Sequence, residues 1–311
     1  MTLLYQDPRF RLHDTGNHPE CAARTELAEN HLASLGKGDG IERQTWQPAS
    51  PEQIGLIHKP YYMEKVRDFA SRGGGRIETD TVVCPESFDI ALLAAGAVCD
   101  AVEKVVHGVD ERAFCFVRPP GHHALAGAPM GFCLFNNVAI GARFAIEQLQ
   151  LDRVLIVDWD VHHGNGTQDV FWEDPRVGFF SIHRWPFYPG TGDEEETGSG
   201  NGLGTTVNVP VSFGTTPQDY LDLFRSRLET FATAFKPQLV LVSAGFDCHR
   251  DDPIGSLGLG EEDFQPLTET VIEIAKSFAD GKVVSAQEGG YDPQAMLDCV
   301  RVHVDSLRNQ P

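Results

Sequence analysis

Two short runs, Val154-Leu155-Ile156-Val157 and Leu239-Val240-Leu241-Val242, are apolar at every position, as expected of strands covered on both faces. Each run ends in polar chemistry. The first leads into Asp158-Trp159-Asp160-Val161-His162-His163-Gly164-Asn165-Gly166 and the second into Ser243-Ala244-Gly245-Phe246-Asp247. Strand character is also read at Ala113 to Val117, Arg153 to Asp158, Val177 to His183, Thr206 to Val211, Gln238 to Ser243 and Lys282 to Gln287. Helix-period segments lie between them. Leu221, Phe224, Leu228, Phe231 and Phe235 recur at steps of three and four behind the N-cap signal Thr216-Pro217, and Val138, Ala142, Ile146 and Leu149 recur before the central strand. Such alternation predicts an α/β fold, a mostly parallel multi-stranded sheet with helices on both faces. No Pro/Ser-rich linker divides the 311 residues, so one domain over 1–311 is expected.

Composition narrows the partners. With 45 acidic and 25 basic residues the formal charge is −20, which disfavours direct contact with nucleic acid. A field of that sign suits cationic substrates such as lysine-rich peptides or polyamines, although a merely soluble acidic surface explains it more simply. The seven cysteines are scattered and odd in number, which predicts no disulfide framework. Without a leader-like start or a long apolar run, the chain reads as cytoplasmic with no membrane partner, and its oligomeric state, homo-oligomers included, is left open.

In open α/β folds ligands collect beyond the carboxyl ends of the strands. Asp160, His162 and Asp247 would there offer two carboxylates and one imidazole to a divalent cation, a set that suits Zn²⁺ and leaves a position for water and substrate. Taken singly, Asp160 is more commonly a strand-end cap and His162 a hydrogen-bonded loop residue than a metal ligand; together with Asp247 they favour ligation. His122 and His123 follow the turn Pro119-Pro120-Gly121, a rigid setting in which one imidazole can act as general base while the other holds a charge. Asp158 and Asn165 are the nearest acceptors for them. Tyr291, after Glu288-Gly289-Gly290, is either an oxyanion donor or a structural strand-end tyrosine. Phe132 and the Phe187-Tyr188 pair would wall a slot for an unbranched chain, and Gly131, Gly166 and Gly192 would relieve crowding where loops converge. The acidic, Gly-rich stretch from Asp193 to Gly204 reads as a mobile surface loop.

Five motifs in order carry a resemblance: Pro119 to His123, Gly131 to Asn137, Asp158 to Gln168, Ser243 to Asp247 and Gln287 to Tyr291. Together they resemble the zinc-dependent histone deacetylase superfamily, in its class II and bacterial histone deacetylase-like amidohydrolase branch. The resemblance runs nearly end to end, since His18-Pro19-Glu20 with Arg24 is similar to the family's first loop and the arginine of its inner acetate channel. It implies the arginase-deacetylase fold and one zinc per chain on Asp160, His162 and Asp247. It further implies His123 as principal acid-base within the His122/His123 pair, and Tyr291 as oxyanion donor. Structural potassium is implied at Asp158, Asp160, His162, Ser181 and Ile182, and again near Phe171, Asp174 and Val177.

Departures from the pattern bear on substrate. Asn165 stands where class I enzymes have aspartate, Tyr188 where the family has a second wall phenylalanine, and Ile254 where the animal polyamine deacetylase carries a glutamate gatekeeper. The expected substrate is an acylated lysine peptide, with an acetylated polyamine as the alternative. A binuclear arginase is disfavoured by Gly164 and by Cys248-His249, and a silent acyl-lysine-binding scaffold is the remaining reading from another class.

Overall fold

The computed structural model describes residues 1–309. Ten strands occur among them. They are β1 (Thr2–Tyr5), β2 (Ile41–Arg43), β3 (Gly75–Arg76), β4 (Val82–Val83), β5 (Arg112–Cys115), β6 (Val154–Asp158), β7 (Val177–Arg184), β8 (Thr206–Val211), β9 (Leu239–Ala244) and β10 (Val283–Gln287). Eight form one sheet in the order β2-β1-β5-β10-β9-β6-β7-β8, every pair of which is parallel, while β3 and β4 make a separate antiparallel hairpin.

Successive side chains of a strand point to opposite faces, and the two cores follow that rule. Ala113, Cys115, Val154, Ile156, Leu239, Leu241, Val284 and Ala286 pack against the long helices α4 (Ser87–Val106) and α5 (Asn137–Glu147). Phe114, Leu155, Val157, Val240, Val242 and Val283 face α7 (Pro217–Phe235), α8 (Phe264–Phe278) and α9 (Pro293–Asn309). Burial on both faces is why these strands carry no polar alternation.

Local signals are realised closely. Thr216 caps α7 by accepting from Asp219 N–H, and Asn136 caps α5 by accepting from Ala139 N–H. Helix α5 ends at Glu147, two residues short of Leu149, and β5 ends at Cys115 rather than Val117, because the chain turns away towards Pro119. Strands β1 and β2 carry no signal of their own. Each is three or four residues long; β1 is ordered by pairing with β5, and β2 by pairing with β1 at the sheet edge.

One expectation is corrected. The stretch from Asp193 to Gly204 is tied down, not loose: Glu196 Oε2 accepts from Gln168 Nε2 and from Gly192 N–H, and Ser199 N–H donates to Trp172 O at 2.9 Å. No helix among the described residues is long and apolar enough to cross a membrane, and all seven cysteines are unpaired.

Candidate active site

Strand order brings the site together. The last strand, β10, inserts between β5 and β9, so the loops after β5, β10, β9 and β6 leave four adjacent strands at one edge of the sheet. Those loops carry His122 and His123, Glu288 to Tyr291, Asp247, and Asp160 to Asn165 respectively.

One ligand atom from each of Asp160, His162 and Asp247 lies within 4.8 Å of the others, and all three residues are buried. His162 Nδ1 is 3.0 Å from Asp160 Oδ1 and 3.2 Å from Asp247 Oδ2. Burial opposes an imidazolium here, yet the two carboxylates outweigh it and push His162 up to about 9. Asp247 is raised to about 7, by burial first and then by the negative charge of Asp160. Two carboxylates and an imidazole converging in a buried cluster suit a positive charge, and Asp247 Oδ2, although 3.2 Å from His162 Nδ1, makes no well-aligned hydrogen bond. The donor set therefore fits a divalent cation. Gly289 makes room for it: a Cβ there would collide with carboxylate oxygens of both Asp247 and Asp160.

Beside this group the two histidines, ring centroids 4.0 Å apart, have different partners. His122 Nδ1 is 2.9 Å from Asp158 Oδ2, whereas His123 Nδ1 is 2.7 Å from Asn165 Oδ1. Burial disfavours the cation at His122, but Asp158 and Asp160 overcome it and lift the residue to about 10. His123 is lowered, by burial and then by the charges of His122 and His162. The surroundings thus favour the charged form of one imidazole and the neutral form of its neighbour. Gly131 lets the rings sit where they do, since its φ of +56° is left-handed and a Cβ would strike the His123 ring.

Tyr291 joins from β10. Its ring meets Phe132 edge-on at 5.9 Å and lies under the Arg24 guanidinium at 5.3 Å. Burial, followed by the nearby Asp247 and Asp160, raises its phenol well above the ordinary value, so it stays an O–H donor. Arg24 is enclosed, donating to Gly290 O at 2.8 Å and Glu288 O at 3.1 Å, and paired with Glu20.

A cavity of about 230 Å³ opens above these groups, lined by Asp80, His123, Gly131, Phe132, His162, Phe187, Tyr188, Ile254 and Tyr291. The wall residues expected from the sequence all reach it. Of the residues of the expected potassium sites, Asp158 ends β6, Asp160 and His162 follow it in the loop, Phe171 ends the helix Asn165–Phe171, Asp174 precedes β7, and Val177, Ser181 and Ile182 lie on β7; Ser181 Oγ is 2.9 Å from His183 Nδ1, and the Asp174 carboxylate is held by Arg143 and Arg176.

Three contributors escaped the sequence reading. Glu288 Oε2 accepts the backbone N–H groups of Gly121 (2.6 Å) and His122 (3.2 Å), clamping the histidine turn onto β10. Asp252 accepts N–H bonds from Tyr291, Ile254 and Gly255. Asp80 is part of the cavity lining. Glu288 lies inside one of the five motifs; Asp252 lies in the loop of Asp247 and Ile254 and Asp80 on a separate loop, and neither carries a local signal for its contacts.

A buried carboxylate–imidazole group that could hold a metal ion, with a histidine pair beside it at the carboxyl edge of a parallel sheet, is consistent with a hydrolytic metal site of the α/β class. The histone deacetylase domain family matches residues 18–307, and the chain belongs to that family. It is 36% identical over 297 residues to a probable deacetylase of Archaeoglobus fulgidus, covering 95% of this chain and 82% of that one. It is 38% identical over 322 residues to the polyamine deacetylase HDAC10 of Homo sapiens, covering 99% of this chain and 46% of the human one. The crystal structure of the HDA15 HD domain superposes with a TM-score of 0.92 at 33% identity, over 98% of this chain and 89% of that one. The chain is accordingly a deacetylase, an amidohydrolase, of the histone deacetylase family.

Proposed function

We propose that the protein is a zinc-dependent amidohydrolase that removes an acyl group from a primary amine, with N-epsilon-acetyl-lysine in proteins or peptides as its substrate. The observation that carries this reading is the pairing of His123 with Asn165 and of His122 with Asp158 beside the Asp160/His162/Asp247 group, with His123 and His162 lining one cavity.

Zinc on those three residues would supply Lewis acidity to the acyl carbonyl and acidify the attacking water. His123 takes the water proton and passes it to the leaving amine. His122, held by Asp158, keeps a positive charge beside that transfer and helps hold His123 neutral. The Tyr291 hydroxyl donates to the oxyanion. Phe132 and Tyr188 flank the methylene chain, Gly131 leaves space for it, and Ile254 adds an apolar contact at the opening. Arg24 holds the Glu288-Gly289-Gly290 turn in place beneath Tyr291.

A second reading, hydrolysis of acetylated polyamines, is favoured by one observation: Asp80 brings an acidic residue into the lining of a mostly apolar cavity, where it would pair with a distal ammonium. The test is kcat/KM across matched acetyl-lysine peptides and N-acetylated polyamines, with and without chelator. Preference for peptide, abolished by chelation, supports the first reading. Preference for polyamines replaces it with the second, and binding without acetate release would make the chain a silent acyl-lysine scaffold.

A further inference from the structure

Phe213 is two-thirds exposed, a large aromatic side chain on the loop between β8 and α7. Burial does not account for it. Its partner does: the Arg184 guanidinium lies 4.5 Å from the Phe213 ring centroid and 4.2 Å from that of Phe187. Phe187 in turn stacks on the His162 imidazole, with centroids 5.2 Å apart and planes 16° from parallel. A continuous stack therefore runs from the surface to the metal group, in the order Phe213, Arg184, Phe187, His162. A planar, weakly hydrated guanidinium suits such a position between two aromatic faces, which a lysine ammonium does not.

The same arginine reaches both neighbouring loops. Its backbone N–H donates to Val161 O at 2.9 Å, next to His162, and its Nη1 donates to Gly255 O at 2.8 Å, next to Ile254. Phe187 and Ile254 are both walls of the substrate cavity. Arg184 touches neither the cavity nor the reacting atoms, so any influence on substrate passes through those walls.

We propose that Arg184, pressed into place by the exposed Phe213, is a positioning residue that sets the width of the acyl-lysine slot through the Phe187 and Ile254 walls. The inference rests on the reading of the cavity as an acyl-lysine site. With the outer ring removed, the guanidinium loses one face, Phe187 gains freedom and the slot loosens. Short acyl groups then lose more binding than longer ones, which can fill the added space.

The test compares wild type with Phe213→Leu and Phe213→Trp on acetyl-lysine and butyryl-lysine peptides. It reads KM and kcat for the zinc-loaded protein, and equilibrium binding of the same peptides to the metal-free protein by calorimetry. Phe213 is exposed, so folding is preserved in both variants, with unchanged unfolding midpoint and metal content. Phe213→Leu is expected to raise KM and Kd for the acetyl peptide about two- to fivefold, the loss of one exposed cation–π face, with a smaller change for butyryl. Phe213→Trp restores the wild-type ratio. Arg184→Lys, which keeps the charge and loses the planar stack, should reproduce the leucine pattern. Unchanged constants in Phe213→Leu, or equal losses for both peptides, would overturn the proposal. A wild type that binds the peptides without releasing acylate sinks the assigned reaction and leaves the binding comparison to judge this inference. A wild type that neither binds nor cleaves them sinks both.

Discussion

Asp252 Oδ2 accepts the backbone N–H of Tyr291 at 2.7 Å, while its other oxygen accepts Ile254 and Gly255 N–H, each at 2.9 Å. One carboxylate thus joins the loop after β10 to the loop that carries a cavity wall. Asp252→Ala leaves three N–H groups without their acceptor, at a cost of about 1–3 kcal/mol in stability for an unsatisfied buried group. It should also lower kcat about tenfold or more by loosening Tyr291, since small misplacements of a reacting group are costly. Urea unfolding and steady-state kinetics measure the two effects separately. Loss of stability with kcat intact would restrict Asp252 to folding.

Tyr291→Phe removes the phenolic O–H and leaves the ring packed against Phe132 and Arg24. The expected result is a fall in kcat of about a hundredfold or more with metal content and unfolding midpoint unchanged. Near-normal turnover would take Tyr291 out of the mechanism.

Chelation should abolish turnover and lower the melting temperature, and added zinc should restore both, because a ligand bound only by the folded state stabilises it by mass action. Asp247→Ala should lose the zinc-dependent increment. A melting temperature insensitive to chelator and metal would contradict occupation of the Asp160, His162 and Asp247 group by a cation.

His58 predicts part of the acid sensitivity. Its Nδ1 is 3.1 Å from Leu125 O, to which it donates, while Nε2 accepts the Asn136 N–H at 2.9 Å, so the native ring must be neutral. Burial lowers it from 6.5 to about 4. A lowered histidine contributes its stability fully above pH 6.5, where both states are neutral, and loses it as pH falls towards 4, where the unfolded state alone takes the proton. His58→Gln should therefore be less stable than wild type at pH 7. That gap should narrow by at most roughly 3 kcal/mol by pH 4.5 in chemical denaturation. A gap independent of pH would remove His58 from the acid transition.

Much of this protein is written locally. Apolar runs without alternation marked β6 and β9, three-and-four spacing marked α7, and Asp160, His162 and Asp247 were legible as a candidate metal-binding group, with His122 and His123 as candidate neighbours, from their types and their places after strand-like runs. These are properties of neighbouring residues, and backbone periodicity and donor chemistry act at that range. Strand order was decided elsewhere. Only non-local pairing inserts β10 between β5 and β9, and that insertion sets Tyr291 beside His123 and lets Glu288 hold the histidine turn. Partner choice is likewise tertiary: Asp158 meets His122 and Asn165 meets His123 because buried polar groups must find acceptors within the packed structure, whatever their distance along the chain. Asp252 and the Phe213–Arg184 stack belong to the same category, since nothing in their own segments tells a side chain which distant loop it will touch.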